Sequence, residues 1–160
     1  MEIKFTPWRM PYIKGPHPKG CVLCQAPAEN DDQRNLLLYR GERCFILLNL
    51  YPYNNGHVMV APYAHVADLG NLEAETATEL MALTQRCVRA LRQVYNPQGF
   101  NLGMNLGRVA GAGIADHLHM HIVPRWQGDM NFMPLIGGTK MIPETLEETY
   151  ALVREALRKE

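Results

Sequence analysis

The run His117-Leu118-His119-Met120-His121-Ile122-Val123 alternates imidazole and apolar side chains. Alternation of period two is the signature of a half-buried β-strand, so Leu118, Met120 and Ile122 require a hydrophobic core on one side. The three imidazoles then share the opposite face, with neighbouring Cα atoms about 6.6 Å apart at twice the strand rise. This strand demands a sheet with one face covered and one face left for polar groups. Three histidines on an edge strand without chemistry are a poor alternative, because histidine has no strong strand preference and the alternation is strict.

The rest of the chain supplies such a sheet. Residues 36–39 and 44–50 are β-rich and separated by the charged turn Arg40-Gly41-Glu42-Arg43, which reads as a hairpin. Asn54-Asn55-Gly56 turns the chain into a further strand, 57–61, which Pro62 halts. Between residues 72 and 95 the period changes to helical, with Leu80, Leu83, Cys87, Leu91 and Val94 in phase, Asn71 as the expected cap and Asn96-Pro97 as the stop. Strands 100–106 and 117–123 flank a glycine-bearing loop, 107–113, and a closing helix is expected over 143–157. The fold class is therefore α+β, an antiparallel sheet of about five strands with one long helix and a C-terminal helix. A single domain is expected over 1–160, with a proline-rich N-terminal arm at 1–35, a core at 36–135 and the C-terminal helix region at 136–160. Trp8, Met10, Tyr12 and Ile13 make the arm too apolar for a free tail.

Composition then limits the partners. Sixteen basic residues balance 16 acidic ones, which removes the global field expected of a protein that lives on nucleic acid or anionic lipid. A phosphate-bearing ligand must be held locally. No apolar run approaches the roughly 20 residues that span a bilayer, and the N-terminus lacks a hydrophobic signal core, so a cytoplasmic location is expected. Cys44 and Cys87 sit inside apolar segments and read as reduced core thiols. A chain of this length buries about two-thirds of its unfolded surface and does not need a metal merely to stay folded.

Two chemistries suit a wall of alternating imidazoles. They can ligate one zinc ion with an open position for water. Alternatively, one imidazole attacks an electrophile while its neighbours orient it and stabilise the developing charge. The loop Gly107-Arg108-Val109-Ala110-Gly111-Ala112-Gly113 favours the second: its glycines let backbone N–H groups turn toward an anion, and it ends four residues before the first histidine.

The motif His117-Leu118-His119-Met120-His121-Ile122-Val123 resembles the signature of the histidine triad family of nucleotide hydrolases and transferases. The likeness extends to Asn49, His57, Asn105 and Pro124-Arg125-Trp126. The N-terminal arm and residues 125–133 most resemble the branch containing bacterial diadenosine tetraphosphate phosphorylases and hydrolases. The resemblance implies a homodimer that cleaves dinucleoside polyphosphates, diadenosine tetraphosphate foremost, with water or inorganic phosphate as acceptor and no cofactor required for the chemistry. It implies that His119 is the nucleophile, that His117 orients it, and that His121 contacts phosphate and assists the leaving group. Asn49 matches the ribose-contacting position, Asn105 a polar position near phosphate, and His57 the pocket wall; Gly111, Ala112, Gly113 and Ile114 line the phosphate, and Trp126 stacks on a base or plugs the core.

The chain departs from the family where many members carry Gly-Gln-Ser or Gly-Gln-Thr, since Ala112-Gly113-Ile114 offers no side-chain donor. Arg108, Arg125 and Lys140 are the candidate replacements. Cys21-Val22-Leu23-Cys24 has metal-ligand spacing but needs two more ligands. By resemblance to triad proteins with an N-terminal CxxC, His65 and His117 complete a structural zinc. A redox role is not expected, because no helical pattern starts at the pair. His17, between two prolines, reads as a surface residue. Two rivals stand beside the nucleotidyl-transfer reading: a zinc metallohydrolase using all three triad histidines, and a non-catalytic nucleotide-binding module.

Overall fold

The computed structural model describes residues 20–129 and 142–160. The N-terminal arm's Trp8, Met10, Tyr12, Ile13 and His17, and residues 130–133 and Lys140, lie outside them. The described elements are α1 (Val22–Ala28), β1 (Leu37–Arg40), β2 (Cys44–Leu48), β3 (Val58–Pro62), α2 (Ala74–Tyr95), β4 (Gly99–Gly103), β5 (Met120–Arg125) and α3 (Leu146–Lys159). The five strands form one antiparallel sheet in the order β1-β2-β3-β5-β4, so the fold is the expected α+β arrangement.

Alternation sorts the strand residues between the two faces. Ile46, Leu48, Val58, Val60, Met120 and Ile122 pack under α2 and α3 with Leu80, Cys87, Leu91, Val153 and Leu157. The opposite face carries Phe45, Leu47, Met59 and Ala61, covered at one end by Leu23 of α1. Helix α3 starts on a capping box, Thr145 accepting from the Glu148 amide while Glu148 accepts from the Thr145 amide. Helix α2 ends where Asn96 turns left-handed, at φ 43, ahead of Pro97.

Several boundaries differ from the sequence expectations. Asn71 does not cap α2; it closes a short 3₁₀ turn capped by Asp68, and α2 starts after Glu73 with no side-chain cap bond. Residues 104–106 leave the sheet, because β4 ends at Gly103 opposite His121. The stretch after Cys21 is helical despite Pro27. The first-turn bonds from Cys24 and Gln25 to the Cys21 carbonyl form before the proline is reached, and Leu23 is buried. The largest correction concerns the histidine run. β5 begins at Met120, and the Leu118 amide donates to the Val66 carbonyl at 2.7 Å, so the chain bends at His117 and the three imidazoles do not share one strand face.

Candidate active site

Pairing of β2, β3, β5 and β4 sets Leu47, Met59, His121 and Gly103 in one row across the face away from the helices. Over this face lies a cavity of about 380 Å³, lined by His119, His121, Asn105, Gly113 and Ile114 and also by Val22, Leu23, Gln25 and Ala26 of α1. Asn49 lines it too.

The two histidines present opposite polarity to this cavity. His119 is 5% exposed, and its Nδ1 lies 2.8 Å from the His117 carbonyl oxygen. A carbonyl only accepts, so Nδ1 carries the proton and Nε2 keeps its lone pair. Burial holds the His119 pKa below the ordinary histidine range, against the smaller opposing effect of that bond, so the ring is neutral at neutral pH. His121 is fixed the other way. The Tyr53 amide donates to His57 Nδ1 at 3.1 Å, which leaves the His57 proton on Nε2, and that nitrogen is 2.9 Å from His121 Nδ1. His121 Nδ1 therefore accepts, and its proton sits on Nε2. The two rings are 4.7 Å apart, edge to face. A lone pair and an N–H thus stand side by side on one cavity wall, each set by a main-chain group.

His57 itself does not stand on the cavity wall, where sequence reasoning placed it. It is 1% exposed and lies behind His121, with Asn49 Nδ2 3.4 Å from its ring.

The glycine loop is also less of a cradle than its composition suggests. The Gly111 amide donates to the Arg108 carbonyl at 3.0 Å and the Ala112 amide to Gly107 at 3.3 Å, so both are spent in closing the loop's own turn. Of the three amides only that of Gly113 remains available, beside the Asn105 side chain, which reaches the Gly111 carbonyl at 3.4 Å. Arg108 is exposed and does not line the cavity. Arg125 is engaged by Asp129 and Asn101, and Trp126 packs edge-on against Tyr95 at 6.3 Å, away from the cavity. Arg125 nonetheless lines, with His121 and Asn105, a second cavity next to the first, whereas Trp126 lines neither.

Cys21, Cys24, His65 and His117 converge, their ligand atoms all within 4.8 Å of one another. The Cys21 and Cys24 sulfurs are 3.3 and 3.4 Å from His117 Nδ1, and the Cys24 sulfur is 3.3 Å from His65 Nδ1. A tetrahedral zinc with ordinary bond lengths requires sulfur–nitrogen separations of about 3.6 Å. The donor set fits: two thiols, two imidazoles, and a His117 whose Nε2–H donates to the Pro62 carbonyl at 2.8 Å, leaving Nδ1 free to ligate. Burial is the first cause lowering the His117 pKa, which favours the neutral ligand form. As a thiol, Cys24 is held above its ordinary range, first by burial and then by Cys21 beside it, the reverse of an activated redox cysteine, although a helix does begin at the pair. With its ring turned to the sulfurs, His117 is not placed to share one ion with His119 and His121.

Sequence reasoning missed the α1 wall, whose signal was the apolar Val22-Leu23 pair inside the CxxC. It also missed the Tyr53 amide and the Val66 carbonyl, main-chain groups that no motif displays.

Comparison with known proteins agrees with this geometry. The model of the HIT domain matches residues 30–128. The AP-4-A phosphorylase of Mycobacterium tuberculosis is 43% identical over 157 residues, covering 93% of this chain and 80% of that protein. The crystal structure of a zinc-bound histidine triad family protein from Mycobacterium smegmatis superposes with a TM-score of 0.70 at 28% identity, over 88% of this chain and 94% of that one. A hypothetical histidine triad nucleotide-binding protein from Sulfolobus tokodaii gives 0.69 at 26%, over 87% and 93%. The chain belongs to the HIT family and, by its likeness to a phosphorylase along nearly its whole length, is an enzyme.

Proposed function

We propose that this enzyme cleaves dinucleoside polyphosphates, diadenosine tetraphosphate foremost, in two displacements at His119. The observation that carries the reading is the opposite polarity of neighbouring imidazoles on one cavity wall. His119 Nε2 attacks the α-phosphorus; the bond from that phosphorus to its bridging oxygen breaks, and ATP departs. The His121 Nε2–H donates to the oxygen on which charge develops, and the Gly113 amide and Asn105 carboxamide take the non-bridging oxygens. The product is an adenylyl group on His119. Inorganic phosphate then attacks the same phosphorus from the vacated side, releases the imidazole and yields ADP. The similarity to a protein named AP-4-A phosphorylase supports phosphate over water as acceptor.

Asn49, whose Oδ1 accepts from the Tyr51 amide at 2.9 Å, stands beside the His57 ring and holds the ribose edge. Cys21, Cys24, His65 and His117 hold a zinc ion that is structural: four protein ligands close its coordination and leave no position for substrate. The enzyme acts as a cytoplasmic homodimer. Supporting the second copy, β4 is a sheet edge, and Leu102 on it is 50% exposed.

The test is the product pattern from diadenosine tetraphosphate with and without inorganic phosphate. ADP plus ATP, formed only with phosphate, is expected, together with an acid-labile adenylylated protein on rapid quench. AMP plus ATP makes water the acceptor; AMP binding without turnover returns the binding-module reading.

A further inference from the structure

The Cys/His cluster and the cavity share their supports. Cys21 and Cys24 open α1, and the residues that follow them, Val22, Leu23, Gln25 and Ala26, line the cavity that His119 and His121 also line. With seven residues, an internal proline and no side-chain cap, α1 cannot hold itself together. Its C-terminal end is tied down by Arg40, which donates to the Pro27 carbonyl at 2.8 Å and to that of Glu29 at 3.2 Å. The N-terminal end rests on Leu23 against Phe45, Leu47 and Met59 and on the two cysteines. The triad is joined to the same cluster. The His117 ring faces the sulfurs while its carbonyl fixes the His119 proton on Nδ1. Closing the cluster therefore places α1 and orients the nucleophile in one conformation.

We propose that Cys21, Cys24, His65 and His117 are positioning residues for the nucleotide: zinc binding in the cluster and adenine-nucleotide binding in the cavity strengthen one another. The proposal rests on the reading of the cavity as the nucleotide site. Both ligands select the state with α1 seated, so whichever binds first has already met the entropic cost of ordering the helix for the other. Linkage is reciprocal: the factor by which AMP tightens zinc equals the factor by which zinc tightens AMP, and couplings of this kind are roughly 5- to 150-fold.

The experiment measures zinc affinity of the full chain by competition with a chromophoric chelator, with and without saturating AMP, and AMP affinity by calorimetry on the zinc-loaded and zinc-free chain. The expected result is a zinc affinity at least about five-fold tighter with AMP, with the same factor in AMP affinity. The amides of residues 24–26 and 28 should exchange faster in the zinc-free chain while those of β2 and β3 stay protected. In Leu23→Ala, which leaves all four ligands in place, zinc should still bind while the coupling factor falls toward one. A zinc affinity indifferent to AMP overturns the proposal and leaves the site reading intact, as does a chain that binds no zinc. A zinc-free chain that loses protection throughout the sheet also overturns it, since the ion would then support the fold and not the cavity wall. Failure of AMP to bind the zinc-loaded chain defeats the site reading and the coupling with it.

Discussion

Removing the His57 side chain tests whether the polarity of the active-site imidazoles is set from behind. His57→Ala deletes the donor 2.9 Å from His121 Nδ1 and lets the His121 proton occupy either ring position. Losing one such buried bond costs about 1–3 kcal/mol. Placed in the transition state this is a roughly 5- to 150-fold fall in rate. The same truncation empties a site that is 1% exposed, where large-to-small changes cost about 2–4 kcal/mol of stability, so kinetics are compared at a temperature where both proteins are folded. The assay is single-turnover cleavage of diadenosine tetraphosphate by rapid quench, alongside AMP affinity. The loss should fall in the rate of adenylyl transfer with AMP affinity changed little, and His57→Gln, whose carboxamide can donate to His121, should recover part of it. A rate in His57→Ala equal to that of the unaltered protein would refute the reasoning. So would a loss that resides wholly in nucleotide affinity, because the proton chain from the Tyr53 amide would then do nothing for the chemistry.

Three further outcomes follow from the same geometry. His119→Ala should lose all detectable turnover and adenylylated protein while AMP affinity stays within a few-fold; residual turnover above about one per cent would remove His119 as nucleophile. Asp129 accepts from Arg125 at 2.6 and 2.9 Å and from Asn54 at 2.8 Å, which holds its carboxyl well below the usual range. The stability this confers is complete above the unfolded-state pKa of about 4 and is lost as pH falls below it. Asp129→Asn should thus cost about 1–2 kcal/mol at pH 7 in denaturant melts, and the gap to the unaltered protein should narrow steadily as pH falls below about 4. Thr145→Ala removes the capping box of α3 and should lower stability by about 1 kcal/mol, a Tm shift of roughly 2–4 °C by calorimetry, with kcat unchanged.

The alternation over residues 117–123 was legible as a strand with one face in the core, and the core face of Met120 and Ile122 forms as that pattern requires. What the pattern could not show is where the strand begins. The Leu118 amide has two possible acceptors, a neighbouring strand or a loop, and it takes the Val66 carbonyl, a contact set by tertiary packing and not by local period. The glycine loop misled for a related reason. Composition tells how freely an amide can turn but not whether the loop's own carbonyls claim it, and Gly107 and Arg108 claim two of the three. Pro27 hid α1 because a proline six residues into a short helix removes a bond only from its last turn.

The common thread in these differences is the main chain. Three imidazoles in one pattern take three roles because three main-chain groups assign their protons: the Pro62 carbonyl takes the His117 Nε2 proton, the His117 carbonyl takes that of His119 Nδ1, and the Tyr53 amide acts on His121 through His57. Pro62 ends β3 while His117 and Tyr53 lie in separate loops, and none of the three groups is encoded by a side chain. Exchanging surrounding side chains other than His57 should therefore leave the assignment in place, whereas a shift of any of these backbones by about 1 Å would scramble it, since hydrogen bonds weaken steeply beyond their normal range. In this enzyme the histidine pattern supplies the rings, and the fold decides which nitrogen of each carries its proton.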